Sequence, residues 1–397
     1  MADKEKSKSG IIDRFRAQTV SAYIHRDLAG PNNRICHCLR TQTDRSQVID
    51  LMKTPGSDKA HYKGLQTCGS IHVCPLCASK ITEHRKNEIQ EIIEKTSHKY
   101  HYLITLTFPH TYYDSCYDSR VKFMDARRRM KRWSAVKDHP EFVPFSQILE
   151  HHQYDGSVTT VEVTYGVNGW HIHSHELFIF DKPVEDLRKF RADVYATWTK
   201  ACLYSGIEIT KPLAFHRRSV QIDHLCGDHI QKMTSYLTKI ANSDTWGLSA
   251  EMTKGIVKKS QNGNITPFGM LHEISQATGD LKKSIYKKWA PLFFEYAQTF
   301  KGKQAIRFSK GLKAKYGLED LTDEEVVNAE DLLSQMYGFF EKSEWQTIRR
   351  LRLRGWIIEK SGQSWNQLVE SLNIEIKKRK EACNDKKTGK ALLAETG

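Results

Sequence analysis

Three histidines stand at alternate positions, His171, His173 and His175, in the segment VTTVEVTYGVNGWHIHSHELFIF, residues 158 to 180. Alternate residues of a strand share a face, so three imidazoles project in parallel. Asn168-Gly169 is a strong turn dipeptide between two strand-forming runs and predicts a β-hairpin. With a two-residue loop, Glu162 lies opposite His175 and Thr164 opposite His173; with a four-residue loop, Glu162 lies opposite His173. Either loop puts His171, His173, His175, Glu162 and Thr164 on one face, and Val161, Val163, Tyr165, Ile172, Phe178 and Phe180 on the other. The second is a core face. The first gives up burial to chemistry, and metal binding is the natural use. Histidines at i and i+2 can hold one ion, and a facing carboxylate adds an oxygen ligand suited to Mg²⁺ or Mn²⁺ as well as Zn²⁺.

The chain has nine cysteines, and five of them, Cys36, Cys38, Cys68, Cys74 and Cys77, fall close together. CPLC at 74 to 77 has the spacing of a metal knuckle, in which a tight turn lets two thiolates reach one ion at about 2.3 Å. Cys68 offers a third ligand, and Cys38 or Cys36, from RICHCLR, a fourth. The stretch 31 to 77 is basic and poor in apolar residues, so a structural Zn²⁺ would replace a core it cannot build. No activating Glu or His accompanies the cysteines, which argues against a catalytic zinc. Farther on, HIQKMTSYLTKIA places Tyr236 and Lys239 three apart, on one side of a helix. A tyrosine is a poor nucleophile at its ordinary pKa of about 10, and a nearby ammonium favours the phenolate.

These groups need elements to hold them. Residues 1 to 10 read as a disordered tail, 11 to 24 as a helix, and Ile81 to Lys95 as an amphipathic helix. Tyr100 to Phe108, YHYLITLTF, reads as a strand stopped by Pro109. Arg120 to Arg132 reads as a strongly cationic helix, and Asp228 to Ala241 as a helix carrying Tyr236. The region 282 to 318 is mixed. Beyond Leu321 the chain reads as helical, opening on a Thr-capped acidic turn, TDEE, and ending in a charged tail from Lys377 to Lys390. Over 397 residues, 61 Lys and Arg against 47 Asp and Glu give a formal charge of +14, which points to a polyanionic partner. No apolar stretch approaches the roughly 18 residues of a membrane span, so no membrane partner and a cytoplasmic location are expected.

The order of these pieces resembles the HUH endonucleases, and more closely the Rep family of rolling-circle replication initiators of bacterial plasmids. The matching pieces are CGSIHVCPLCASKI (68 to 81), YLITLTF (102 to 108), VEVTYGVNGWHIHSHEL (161 to 177), YLTK (236 to 239), TPFGML (266 to 271) and FFEYAQTFKGKQAIRFSKGLKAKYG (293 to 317). They cover roughly residues 60 to 325. The resemblance implies an α+β fold with a central antiparallel sheet bearing the histidines, flanking helices and a tyrosine helix packed over it. An N-terminal tail and cysteine-rich zinc module (1–97), a nicking domain (98–245), a family-specific extension (246–320) and a helical C-terminal region (321–397) are then expected.

On this resemblance His173 and His175, with His171 adjoining, hold Mg²⁺ or Mn²⁺, and Glu162 is the third ligand that the hairpin adds; Cys68, Cys74 and Cys77 with Cys38, or Cys36 in its place, are the candidate ligands of a structural Zn²⁺. Tyr236 is the single nucleophile, with Lys239 its motif partner. Ser174 stands where the family has a bulky apolar residue between its histidines, while His171 and His173 do flank Ile172. Lys232 stands where some relatives carry a glutamate. The implied reaction nicks and rejoins single-stranded DNA at a plasmid origin, through a 5′-phosphotyrosine and a 3′-OH primer, with host helicase and polymerase following. Arg127, Arg128, Arg129, Lys131 and Arg132, and the run Arg349 to Arg354, are candidate contacts to the DNA backbone. A transposase or relaxase of the same superfamily, or a metallohydrolase built on the HxHxH strand, is the alternative.

Overall fold

A computed structural model describes residues 2–55, 60–132, 144–226, 264–279, 281–329 and 333–395, with side chains from residue 10 to residue 382. The β-branched and aromatic run after residue 99 forms strand β3 (Tyr100–Thr107), the second strand of a five-stranded antiparallel sheet. Its neighbours are β5 (Gly169–Phe180) on one side and β6 (Val220–Leu225) on the other. Beyond β5 lie β4 (Tyr154–Gly166) and β7 (Ile306–Phe308), giving the order β6-β3-β5-β4-β7. The longest pairing is the hairpin β4–β5.

Helices follow the apolar faces of this sheet. α3 (Pro75–Lys95) contributes Ile81, Ile89, Ile92 and Ile93 to the core. α4 (Cys116–Arg132), α5 (Phe145–His151) and α6 (Leu187–Tyr204) cover the face that carries Phe178 and Phe180: Phe145 meets Phe178, Phe190 meets Phe180, and Phe123 packs between Phe108 and Trp198. This is the face expected to be core.

The N-terminal helix α1 runs from Ala2 to Ala29, so residues 2 to 10 continue the helix instead of forming a tail. Ala, Lys and Glu there are strong helix formers. The charged C-terminal stretch likewise belongs to a helix, Trp365–Glu395, in which Arg379 pairs with Glu375 one turn back. The TDEE turn forms as expected: Thr322 and Glu325 make a reciprocal capping box.

The region beyond Leu321 also contains a strand, β8 (Gln335–Phe340). It pairs with β1 (Ile49–Lys53), which in turn pairs with β2 (Ala60–Lys63). Around this small sheet Phe15, Ile49, Leu51, Phe340, Trp345, Ile348 and Leu368 form a second hydrophobic cluster. Its members come from both ends of the chain. A Cβ at Gly338 would run into the Trp365 ring, so the strand needs glycine where that indole crosses it.

Two buried histidines brace the larger core as neutral rings. His72 donates through Nε2 to the Lys303 carbonyl (2.9 Å) and accepts through Nδ1 from the Tyr296 hydroxyl (2.8 Å). His101 donates to Thr96 Oγ1 (2.9 Å), whose own hydroxyl donates to the Ile92 carbonyl. Burial pushes both imidazoles down from 6.5 to about 4. Their folded pKa values lie below the unfolded value, so unfolding between those limits takes up protons. The stability they confer is present above about pH 6.5 and is lost as pH falls toward 4. We expect a fall of roughly 1 kcal/mol or more between pH 7 and pH 5, above the range where carboxylates protonate. Denaturant titrations giving equal stabilities at those two pH values would disprove it.

Candidate functional site

The hairpin turns at Val167-Asn168, one residue earlier than the Asn-Gly dipeptide suggests: Gly166 pairs with Gly169, Thr164 with His171 and Glu162 with His173. Gly169 takes the left-handed conformation (φ +82). A Cβ there would also stand 2.9 Å from the Thr111 carbonyl oxygen and from Tyr112 Cα, so two demands fall on the same glycine. Of the two registers considered, the structure takes the one in which Glu162 faces His173.

In that register a carboxylate and two imidazoles converge. Glu162 Oε2 lies 3.1 Å from His173 Nε2 and 3.3 Å from His175 Nε2. Each of the three residues offers one ligand atom, and these atoms all lie within 4.8 Å of one another. Adjacent ligands of an octahedral ion with bonds of about 2.1 Å stand about 3.0 Å apart, so the donor set fits a divalent cation. His173 Nδ1 is buried without a hydrogen-bond partner among the described residues. Burial alone would raise the Glu162 carboxyl, but the two imidazoles hold it well below the usual range, so the site presents a carboxylate.

His171 shares the face and not the cluster. Its ring packs between those of His110 and His173, at 4.9 Å from each. Burial, then the neighbouring imidazoles, lowers it to about 3, which keeps it neutral. Sequence reasoning did not single out Thr105. Directly opposite His175 on β3, its hydroxyl lies 2.9 Å from His175 Nδ1, which leaves Nε2 to face Glu162. The signal was present in the alternation of LITLTF, once β3 is known to pair with β5.

The four cysteines also converge. Cys38 Sγ is 3.6 Å from Cys74 and Cys77, and Cys68 Sγ is 3.7 Å from Cys77. Sulfurs around a tetrahedral ion with bonds of about 2.3 Å stand about 3.8 Å apart, close to what is seen. All four are buried. Cys36 is set aside by its own bond: its thiol donates to the Ala22 carbonyl at 3.4 Å. Helix α2 (Arg34–His37) turns Cys36 toward α1 and ends at Cys38, while Cys74 caps α3 and Cys77 sits in its first turn. Burial and the surrounding sulfurs push the Cys74 thiol up, so a cation is needed to gather four thiolates here.

The cationic helix α4 is less available than its composition suggests. Arg127 is buried and joins Lys131 in pairing with Glu176, at 2.8 and 2.7 Å. Glu176 lies on the core face, where Ser174 and Thr159 also donate to it. Arg128 and Arg129 pair with Asp125, and Arg132 is exposed. The α4 charges therefore divide between a buried ion-pair network and the outer surface. In the other basic run, Arg354 is buried and donates to the Leu39 carbonyl and Gln18 Oε1, both at 2.8 Å. Tyr236, Lys239, Lys232 and the helix expected from Asp228 to Ala241 lie outside the described residues.

The chain is similar to "Protein rep" of Streptomyces lividans, with 23% identity over 300 residues, 64% of this chain and 65% of that protein. The similarity supports a plasmid Rep-family protein. The match spans just under two thirds of that Rep protein's length. No family model matches the chain, and no solved structure matches it. Among the described residues no helix is long and apolar enough to cross a membrane.

Proposed function

We propose that this chain initiates rolling-circle replication of a plasmid by nicking and rejoining one strand of origin DNA, on an HUH-type sheet and in the cytoplasm. The observation that carries the reading is the convergence of Glu162, His173 and His175 at the centre of an antiparallel sheet. The similarity to a Rep protein supports DNA as the substrate class.

Glu162, His173 and His175 would hold a divalent ion, Mg²⁺ or Mn²⁺, which when bound supplies positive charge beside the scissile phosphate. Thr105 keeps His175 turned so that Nε2 faces that position. Tyr236 attacks phosphorus through its phenolate oxygen, and Lys239, three positions on in the sequence, would favour the ionised form. The 3′ oxygen leaves and takes a proton, so the products are a 5′-phosphotyrosine and a free 3′-OH. The 3′-OH primes synthesis by a host polymerase behind a host helicase. The phosphotyrosine conserves the phosphodiester energy, and attack by a later 3′-OH rejoins ends without ATP. Cys38, Cys68, Cys74 and Cys77 would hold a structural Zn²⁺ that fixes α1, α2 and α3 together. Exposed basic residues such as Arg132 contact the backbone.

The test is adduct formation. Wild-type protein, Mn²⁺ and single-stranded DNA spanning the plasmid's own origin should give a protein–DNA band that survives denaturant. The Tyr236→Phe protein should give none, a loss of at least about a thousandfold. An adduct of wild-type yield with Tyr236→Phe would overturn the nucleophile assignment.

A further inference from the structure

We propose that Tyr112, Tyr113 and Tyr117 form a platform on which unpaired bases of the DNA strand stack as it enters the histidine site. The inference rests on the single-stranded DNA reading above and adds how the strand is held there.

The three rings are 61%, 94% and 60% exposed, within six residues of sequence. A tyrosine ring left in water contributes little to folding, and three so close in sequence put exposed ring surface on one short stretch of chain. Tyr112 and Tyr113 meet edge to face at 5.9 Å, an arrangement that sets the edge of one ring against one face of the other and covers no more than that face. Their place is specific. The loop leaves β3 at Phe108, and the His110 ring packs on His171, which packs on His173 of the metal-ligating group. The loop that carries the tyrosines therefore also carries a ring that packs along the histidine face. The backbone of Tyr112 is pressed against the hairpin tip at Gly169.

The loop is also built to stay put. Thr111 donates through its amide and its hydroxyl to Asp114 Oδ2, at 2.6 and 2.9 Å. Glu295 accepts from the Cys116 amide at 2.7 Å and from Trp170 Nε1 at 3.1 Å, tying the start of α4 to β5. A rigid exposed aromatic surface beside a phosphate-handling site, on a chain of charge +14, suits a strand whose bases stack while its phosphates are drawn by charge.

The experiment uses the full chain carrying Tyr236→Phe, in chelator, so that binding is read without cleavage. Fluorescence anisotropy would compare single-stranded and duplex oligonucleotides for three proteins: the parent, Tyr113→Ala/Tyr117→Ala, and Tyr113→Phe/Tyr117→Phe. Tyr112 is kept because it packs on the hairpin. We expect the alanine pair to weaken single-strand binding by about 10- to 100-fold, the phenylalanine pair to bind within about threefold of the parent, and duplex binding to change little. Unchanged single-strand affinity in the alanine pair overturns the platform. So does an equal loss for the phenylalanine pair, or a change in sedimentation with no change in DNA affinity, which would assign the rings to a protein contact. None of these outcomes touches the adduct assay, so the platform and the nicking reaction fail separately.

Discussion

Cys77→Ser is expected to abolish metal binding by the N-terminal cysteines and to lower stability by roughly 3–5 kcal/mol, or about 4–6 °C in Tm. Cys77 sits at the hub of the thiolate group, close to Cys38 and Cys68, and the group is packed among Ile35, Ile71 and Ala78 in the main core. Little regular secondary structure fixes this region. α2 is a single turn, and the stretch from Cys38 to β1 holds no other regular element. Gln18 of α1 donates to the Cys38 carbonyl at 2.7 Å, so the position of the ligand loop is passed on to the long N-terminal helix. Arg354, from the C-terminal region, bonds both Gln18 and the Leu39 carbonyl. Loss of the ion therefore loosens the contact between the two hydrophobic clusters as well as the knuckle. Cys36→Ser is the control: its thiol bonds a carbonyl of α1 and lies outside the four, so metal content should be unchanged and stability should move by no more than about 1 kcal/mol. Elemental analysis and calorimetry on both proteins decide the matter. A Cys77→Ser protein that keeps one tightly held metal ion at full stability would refute the ligand set.

The sequence and the structure agree where a local pattern decides the outcome. Period-two alternation put His171, His173, His175 and Glu162 on one face whatever the loop length, because a change of two in the loop preserves parity. The same argument could not choose the partner of Glu162. That depended on the turn closing at Val167-Asn168, with Gly169 held in its conformation by the nearby loop at Thr111 and Tyr112. CPLC announced itself, but Cys36 against Cys38 turned on which way a four-residue helix faces. The basic run of α4 looked solvent-facing because its partner, Glu176, arrives from a distant strand. A carboxylate on an otherwise apolar face is a signal only when the neighbouring helix is known. The pairing of β1 with β8 joins segments nearly three hundred residues apart, and nothing in either strand specifies the other. The first ten residues read as a tail for another reason. Charge without apolar period reads as disorder, yet Lys, Glu and Ala carry enough helical propensity to prolong a helix that is already anchored.

Within the histidine site, His175→Ala and His171→Ala should separate by a wide margin. Removing His175 takes away one of three converging ligand atoms, and the divalent-ion-dependent nick should fall by about 10²- to 10⁴-fold, equivalent to several kcal/mol of transition-state stabilisation. Glu162→Gln should lose as much, because an amide puts a neutral oxygen where the carboxylate oxygen facing both imidazoles would bring negative charge to the ion. His171→Ala removes a neutral ring whose contacts are His110 and His173, so the nick should stay within about tenfold of wild type. Thr105→Val falls between: it keeps shape and removes the hydroxyl beside His175 Nδ1, and about 10- to 100-fold is expected, recovered in part by raising the Mn²⁺ concentration. That partial recovery separates a positioning role from a structural one, since a protein that had merely loosened would not respond to added ion. Single-turnover nicking of origin DNA across a Mn²⁺ series reads all four. If His175→Ala nicked at the wild-type rate while His171→Ala did not, the ion would sit one pair earlier on the strand, between His171 and His173.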